Sequence, residues 1–527
     1  MLSTKKKLTI FIVLSLCVLL LCGCEKTVSL PGGSFPAETE ELAIVLTAED
    51  LALLDEFTAL RSVDLSGSTC YADFLAWAQA HPEVDVRYTV SFPGGHTADW
   101  DVEELELPGI GSAEAAEAAS LLAYLPKLKA IDLGSEAGGA SLTGADIELL
   151  RQAAPAASVR YSFSLAGQSV RLTDETLDLS ALGHEEAAKA AGLLPCLQDL
   201  TYVDLGGEGE NSLTWEDIGT LQAACPEADF AYSFSLYGKS LTTLDETLDF
   251  NHIRMDDRGE AVRSILPYMQ KCRYLDMDFC GVSNEDMAAI RDEFPGIKVV
   301  WRIWFGTNYS VRTDVEKILA SRPGVGGTVY DADADILKYC TDVKYLDLGH
   351  NEVITDISFA ASMPNLEVFV IAMNPITDLT PLMSCPHLEY LELNSTQVSD
   401  LSPLSGLTEL RHLNIGNCPN VSDISPLYGL TGLERLWIGC IDPVPPEQVE
   451  IMRGAAPDCD IDTEVYDPTA GRWRILGLTE RAKAIYAETG WIEWELHPRY
   501  ELLREQFGYA ENAFAFSWLD PLYDPHG

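Results

Sequence analysis

Apolar and polar positions alternate in a fixed pattern over part of the C-terminal third of the chain, beginning at Val343. An example is LEYLELNSTQVSDLSPL. Each copy starts with an apolar residue and has a pair of apolar residues, separated by one position, a few residues later. An aspartate then precedes the last apolar segment of the copy. The copies begin at Val343, Leu366, Leu388, Leu410 and Leu433, with spacings of 23, 22, 22 and 23 residues. This period predicts short parallel strands in a solenoid, where each unit buries its apolar face against the next.

Strand geometry divides the residues of each copy between two faces. The apolar pairs predicted to form the core are Leu346 and Leu348, Phe369 and Ile371, Leu391 and Leu393, Leu413 and Ile415, Leu436 and Ile438. The intervening residues should point to the opposite, concave face and be exposed there. Candidates for partner binding are Tyr345, Val368, Val370, Tyr390, Glu392, His412, Asn414, Arg435 and Trp437. Tyrosine, tryptophan and arginine are typical interface anchors; alternatively, tyrosine and valine merely suit strands.

These copies, which close with sequences such as DLSPL and DISPL, resemble the leucine-rich repeat in its bacterial internalin-like form. The resemblance implies that Asn351 and Asn374 satisfy backbone groups of the turns, where the next copies have Thr396 and Cys418 instead. Four aspartates precede the second apolar group of their copies and suit hydrogen bonds in turns. They are Asp356, Asp378, Asp400 and Asp423.

A longer repeat precedes the short one. YSFSLAGQSVRLTDETLDLS from Tyr161 and YSFSLYGKSLTTLDETLDFN from Tyr232 share twelve of twenty residues at a distance of 71. A VDL-like strand recurs with its aspartate at positions 64, 132, 204, 276 and 347. Helical segments that open with threonine or serine and end at proline lie between the VDL-like and aromatic strands. We therefore predict strand, helix, strand, turn, strand and helix in each unit, as a degenerate α/β solenoid continuous with the short repeats.

The N-terminus has the pattern of an export signal. MLSTKKK supplies positive charge, LTIFIVLSLCVLLL is an apolar stretch too short for a comfortable membrane span, and LCGCE follows. LCGC resembles the bacterial lipobox, which implies diacylglycerylation of Cys24 and cleavage before it. Two acyl chains on one residue anchor a protein stably. An ordinary secretory signal with an incidental cysteine is the alternative.

Charge restricts the partners. The chain has 35 basic and 82 acidic residues. Removal of residues 1–23 takes away three lysines and no acidic residue, and leaves a net charge of −50. Such a polyanion argues against nucleic acid as a partner and against lying flat on an anionic membrane. We expect membrane contact only through the lipid on Cys24.

No catalytic motif occurs in a suitable context: GxSxG, HExxH, the P-loop and the dinucleotide fingerprint are absent. We therefore expect no enzyme activity, cofactor or metal site. Asp331, Asp333, Asp335 and Asp342 mimic parts of a calcium loop, but Ile336 stands where the loop needs glycine. A helix or turn that joins the long units to the short ones is the favoured interpretation. Ten cysteines would remain in the anchored chain, spread singly, which favours buried thiols over disulfides.

The chain thus divides into a signal peptide (1–23), a linker (24–44), long α/β units (45–339), leucine-rich repeats (340–465) and an aromatic C-terminal cap (466–527). The tail, with GWIEWELHPRYELLREQFGY from Gly490, resembles the closing segment of bacterial leucine-rich-repeat surface lipoproteins. Trp491, Trp494, Tyr500 and Phe507 are expected to cover the open end of the solenoid, with an aromatic ligand site as the alternative.

These features predict an exported protein that is lipid-anchored to the extracytoplasmic face of a bacterial membrane and that binds a protein ligand through its concave face. A cell-wall or host polysaccharide is the second choice of ligand. Three alternatives remain: a small-ligand receptor that feeds a transporter, a glycan hydrolase, and a structural spacer that binds nothing.

Overall fold

The computed structural model describes residues 26–306, 309–321, 328–439 and 444–463. They form an α/β fold in which parallel strands recur along the chain, as the sequence predicts. The chain divides into two compact units between Ser233 and Phe234.

The first unit opens with a β-hairpin and continues with long-period repeats. Its strands are β1 (Thr27–Leu30), β2 (Gly33–Pro36), β3 (Glu41–Ala43), β4 (Ser62–Asp64), β5 (Asp85–Arg87), β6 (Thr89–Ser91), β7 (Thr97–Asp99), β8 (Glu104–Glu106), β9 (Ala130–Ser135), β10 (Ser158–Leu165), β11 (Gln168–Arg171), β12 (Thr176–Asp178), β13 (Tyr202–Gly207) and β14 (Asp229–Leu236). Its helices are α1 (Tyr71–Ala80), α2 (Ser112–Leu122), α3 (Gly144–Ala153), α4 (His184–Leu193) and α5 (Trp215–Ala224). Parallel sheets are formed by β3-β4-β5, β8-β9-β10 and β12-β13-β14.

The second unit contains the last long repeat and the short ones. Its remaining strands are β15 (Lys239–Thr242), β16 (Thr247–Asp249), β17 (Tyr274–Asp276), β18 (Lys298–Val300), β19 (Arg302–Phe305), β20 (Tyr309–Arg312), β21 (Lys317–Leu319), β22 (Tyr345–Asp347), β23 (Val368–Val370), β24 (Tyr390–Glu392), β25 (His412–Asn414), β26 (Arg435–Trp437) and β27 (Asp460–Asp462). Its helices are α6 (Glu260–Ile265), α7 (Asn284–Glu293), α8 (Asp331–Ala334) and α9 (Pro446–Ala455). Strands β21 to β27 form one parallel seven-stranded sheet in sequence order.

The predicted order of elements in the long units is present, with one addition. The TLD segments of β12 and β16 are short strands that pair in parallel with the VDL-like strands β13 and β17. A segment of only three residues, in which polar and apolar side chains alternate, gives too weak a signal to be recognised as a strand from the sequence alone. The predicted N-caps are confirmed at α3 and α5: the hydroxyl oxygens of Thr143 and Thr214 accept hydrogen bonds from the backbone N–H three residues later.

The recurring aspartate has a local structural role. In Asp64, Asp132, Asp204, Asp276 and Asp347 alike, Oδ1 accepts a hydrogen bond of 2.8–2.9 Å from the backbone N–H two residues later. This bond turns the chain away from the sheet directly after each strand. The aspartate therefore recurs in these five units because each of them makes the same turn.

In the short repeats, strands β22 to β25 are each followed by a turn and a 3₁₀ helix instead of an α-helix, which explains the shorter period. The 3₁₀ helices span Ser358–Ser362, Thr380–Ser384, Ser402–Gly406 and Ser425–Gly429. The aspartates predicted to stabilise these turns do so: Asp356, Asp378, Asp400 and Asp423 each accept a 2.8 Å hydrogen bond from the backbone N–H two residues on. The central strand residues Leu346, Phe369, Leu391, Leu413 and Leu436 are completely buried.

Buried asparagines link neighbouring repeats, as the resemblance implies. The amide of Asn374 donates to the carbonyls of Leu348 (2.9 Å) and Ile371 (3.2 Å), while its oxygen accepts from the N–H of Ile354 (3.3 Å). Farther along, Thr396 and Cys418 take the asparagine positions and contact each other at 3.3 Å through their side chains. A run of small polar side chains thus satisfies backbone groups inside the solenoid.

The nine cysteines that the structure describes are free thiols, and six of them are buried. Burial raises the pKa of the Cys385 thiol to about 11. Among the described residues, no helix is long and apolar enough to cross a membrane. The predicted signal peptide, Cys24 and the whole predicted aromatic cap (466–527), with its named residues Trp491, Trp494, Tyr500 and Phe507, lie outside the described residues.

Candidate functional site

The candidate site is the concave face, defined as the side of β22–β26 opposite the core leucines. Pairing between these strands places the predicted candidates in two straight columns. The first column is Tyr345, Val368, Tyr390, His412 and Arg435, and the second is Asp347, Val370, Glu392, Asn414 and Trp437. The register is the one that the sequence spacing predicts.

The exposure of this face differs from the sequence expectation. Val368, Val370, Glu392, Asn414 and Trp437 retain at most 3% of their accessible surface, although we expected them to face solvent. His412 and Arg435 are also buried, and Tyr345 and Tyr390 are half-buried. The alternation of residues along a strand predicts which face of the sheet a side chain occupies. It does not predict how accessible that face is, so the sequence could not reveal this burial.

Several contacts hold the columns in place. The Tyr345 hydroxyl donates to Glu367 Oε2 at 3.1 Å. Two effects raise the pKa of Tyr345 to about 12: the larger is burial, and the smaller is the hydrogen bond to the Glu367 carboxylate. In the next repeats, the Tyr390 hydroxyl donates to the carboxylate of Glu392, and the Tyr390 ring lies 5.8 Å from the His412 ring. The candidate tyrosines are therefore ordered in fixed positions before any ligand binds.

At the other end of the face, a cation lies against an aromatic ring. The Arg435 guanidinium carbon is 5.9 Å from the centre of the Trp437 ring, within the range of a cation–π contact. Asn414 Oδ1 accepts a 3.0 Å hydrogen bond from the Gly416 N–H. Asn414 thus has the structural role that aspartate has in other repeats, and its position on this face does not by itself indicate ligand binding.

The sequence reasoning missed a buried ionic network beside the hairpin of β19 and β20. Arg302 Nη2 lies 3.2 Å from Asp278 Oδ2, and both side chains are at most 4% exposed. Arg312 contacts the carboxylate of Asp276 at 3.0 Å, and its Nη2 donates to the Tyr274 hydroxyl at 2.6 Å. Burial alone would lower the pKa of Arg312, but hydrogen bonds to carboxylates outweigh it and raise the pKa well above its usual range.

One signal for this network existed in the sequence. Arg302 occupies the position that Ser162 and Ser233 hold in the earlier copies of the aromatic strand. A charged residue in place of a serine, next to a strand that carries a recurring aspartate, indicates an ion pair. The network uses its carboxylates to bind arginines, so we assign it a structural role.

The aspartates that mimic a calcium loop each have a separate partner. Asp331 accepts hydrogen bonds from the backbone N–H groups of Thr355 (2.7 Å) and Asp356 (3.1 Å). Asp335 pairs with Lys338 at 2.8 Å, and Asp342 pairs with Lys298 at 2.7 Å. Residues 331–339 form α8 and a 3₁₀ turn, in agreement with the favoured interpretation. Within the described ranges, no group of three or more potential ligands is arranged to hold a metal ion.

Protein-family models match the short repeats. A two-copy model described as leucine-rich repeats matches residues 364–406 and 386–429, and a single leucine-rich repeat model matches residues 339–357. No curated protein matches the chain significantly.

Solved structures with similar folds include three from different organisms. An internalin from Listeria monocytogenes is 20% identical over 71% of this chain and 87% of that one, with a TM-score of 0.27. A leucine-rich-repeat protein from Leptospira interrogans is 16% identical over 64% and 91%, with a TM-score of 0.25. The ectodomain of a plant membrane receptor kinase from Arabidopsis thaliana, solved in complex with Casparian strip integrity factor 2, is 11% identical over 81% of this chain and 40% of that one, with a TM-score of 0.23. At these levels the likeness says nothing about what this chain binds. The matching family models identify the repeats between residues 339 and 429 as leucine-rich repeats.

Proposed function

We propose that this chain is an exported, non-enzymatic binding protein that recognises a protein ligand through its concave face. Lipid on Cys24 would anchor it to the extracytoplasmic side of a bacterial membrane. Leucine-rich repeats commonly mediate protein recognition, which favours this class of function over catalysis. The export and anchoring parts rest on the N-terminal pattern of charge, apolar stretch and lipobox-like cysteine.

The observation that carries the proposal is the aligned arrangement of anchor residues on a rigid sheet. Tyr345, Tyr390, His412 and Arg435 occupy one column across paired strands, with Trp437 in the next column. Large side chains that are held in place before binding lose little conformational entropy when a ligand arrives. Tyrosine, tryptophan and arginine are also the residues that contribute most to protein interfaces.

The test is capture with matched baits. Soluble chain 25–527 is used to retrieve ligands from surface and secreted fractions, beside a variant that carries Tyr345→Ala and Tyr390→Ala. These two are chosen because they are half-buried, so truncation should disturb the fold less than loss of the buried Trp437. Tyr202→Ala is the control, since Tyr202 faces outward at the equivalent place on β13 and is 38% exposed.

A protein captured by the unaltered chain and by Tyr202→Ala, but lost by the double variant, is the expected result. A captured polysaccharide with the same dependence would replace protein by glycan as the ligand class. Equal capture by all three baits would remove the concave face from the proposal. Failure to capture anything would favour the spacer alternative.

A further inference from the structure

The last long repeat carries a row of three exposed aromatic side chains, His252, Phe279 and Trp304. The Phe279 ring is stacked on the His252 ring, with ring centres 4.5 Å apart and an angle of 6° between the planes. The centre of the Trp304 ring lies 6.4 Å from that of Phe279, in an edge-to-face arrangement. Phe279 and Trp304 remain 41% and 58% exposed. Single exposed rings are common on proteins, but rings that form a contiguous exposed patch mark an interaction site.

The other long repeats have small residues at these positions. In the earlier copies of the aromatic strand, the place of Trp304 is taken by Ser91, Ser164 and Ser235. Phe279 follows the recurring aspartate by three residues, where the first long repeat has Gly67. The backbone is left-handed at both places, with φ of 54° at Phe279 and 93° at Gly67, so glycine would make this turn without strain. The fold therefore does not require an aromatic ring at either position.

The buried ionic network holds this row in a fixed position. The guanidinium carbon of Arg302 lies 5.2 Å from the centre of the Phe279 ring. Arg302 is itself paired with the buried carboxylate of Asp278 at 3.2 Å. Trp304 thus rests against a ring that is held between His252 and a buried ion pair. Because its position is fixed in advance, Trp304 loses little conformational entropy when a ligand stacks on it.

Three other tryptophan rings of this chain already carry a cation. The pairs, with the distance from the cationic group to the ring centre, are Lys127 and Trp100 (4.5 Å), Arg291 and Trp301 (5.4 Å), and Arg435 and Trp437 (5.9 Å). These distances lie within the range of cation–π contacts. Of these four tryptophans, Trp304 alone is exposed, and no cation from the described residues lies on its ring. Its ring face is therefore open to a cation from outside the chain.

Charge complementarity favours a cation as the ligand of this ring. The chain has a net charge of −47, and its field concentrates cationic groups at the surface and repels a second copy of the chain. The ionic network beside the row has two arginines and three aspartates, a net charge of −1: Arg302, Arg312, Asp276, Asp278 and Asp314. The face of an indole ring attracts a cation through its quadrupole. A neutral glycan would gain nothing from these charges.

We propose that Trp304 is a recognition site for a basic segment of a partner protein, in which an arginine or lysine side chain stacks on the indole ring. Phe279 and His252 hold the ring in place for this contact. The site lies on different residues from the concave face, so it goes beyond the proposed function and does not depend on it.

Fluorine NMR observes this residue directly in the soluble chain 25–527, labelled with 5-fluorotryptophan. The Trp304→Phe variant identifies the resonance of Trp304 by its absence. Titration with acetylated and amidated tetra-arginine, at about 150 mM salt, should shift this resonance. Tetra-citrulline, whose side chains have nearly the same shape but no charge, should leave it unchanged. Equal shifts with both peptides, or no shift with tetra-arginine, would overturn the proposal. A shift with chitotetraose but not with tetra-arginine would also overturn it, in favour of a glycan site.

Calorimetric titration with the same peptide extends the test to affinity. Trp304→Ala should raise the Kd for tetra-arginine at least about threefold, since a cation–π contact at an exposed site contributes about that factor. Tyr330→Ala is the matched control, because Tyr330 is a similarly exposed aromatic residue (55%), and it should keep the affinity of the unaltered chain. An equal loss in both variants, or no loss in Trp304→Ala, would contradict the site. Neither experiment uses the ligand of the concave face, so their failure is distinct from failure of the proposed function.

Discussion

Replacement of Asn374 by alanine is expected to destabilise the repeat block strongly. Its side chain is 1% exposed and hydrogen-bonds to four backbone groups of two neighbouring repeats, namely the N–H of Ile354 and the carbonyls of Leu348, Ile371 and Ala372. Alanine leaves these carbonyls without this donor and the N–H of Ile354 without this acceptor. At about 1 kcal/mol net for each of the two amide hydrogens and for the amide oxygen, the free energy of unfolding should fall by about 3 kcal/mol.

Urea unfolding followed by tryptophan fluorescence measures this loss, with Asn420→Ala as the matched control. Asn420 lies on the surface and donates to the carbonyl of Gln397 at 3.2 Å, so its truncation should cost less than about 0.5 kcal/mol. A loss for Asn374→Ala that is no larger than the loss for Asn420→Ala would refute the assignment of buried asparagines as links between repeats.

Three further predictions concern charges and thiols. Arg302→Met should lower the free energy of unfolding by about 3 kcal/mol, because the buried carboxylate of Asp278 loses its 3.2 Å partner and keeps only Arg312 at 3.7 Å, whereas Arg254→Met, at an exposed ion pair, should have little effect in the same urea assay. The hydrogen bond to Asp217 raises the pKa of His184, so the stability from this pair is full below pH 6.5 and is lost as pH rises through the raised pKa of the folded state. The difference in melting temperature between the unaltered chain and His184→Ala should therefore be larger near about pH 5.5 than near about pH 9, and an equal difference at both would contradict the ion pair. Cys385 should resist iodoacetamide in the folded chain and react after denaturation, as mass spectrometry can follow, since burial raises the pKa of its thiol to about 11.

Much of the fold could be predicted because the same pattern of apolar and turn residues recurs in successive repeats. The paired apolar positions around Leu391 and the turn aspartates follow from local spacing, the role of the buried Asn374 follows from the resemblance to leucine-rich repeats, and the structure confirms them. The short strand β12 escaped prediction because three residues carry little periodic signal.

The candidate site was predictable only in part. The register of Tyr345, Tyr390 and Arg435 follows from the repeat spacing. The burial of Val370 and Glu392 does not, because the repeat spacing reports which face a side chain occupies but not how much of it solvent can reach. The pairing of Arg302 with Asp278 likewise depends on distant segments that the fold brings together.

The most direct test of the central claim is an affinity measurement with the captured ligand. Calorimetric titration would compare the unaltered chain 25–527 with Tyr345→Ala/Tyr390→Ala and with Tyr202→Ala. If the concave face is the recognition surface, the Kd should rise at least about tenfold for the double variant, which corresponds to about 1.4 kcal/mol, and should not change for Tyr202→Ala. Equal affinity of all three proteins would contradict recognition by this face.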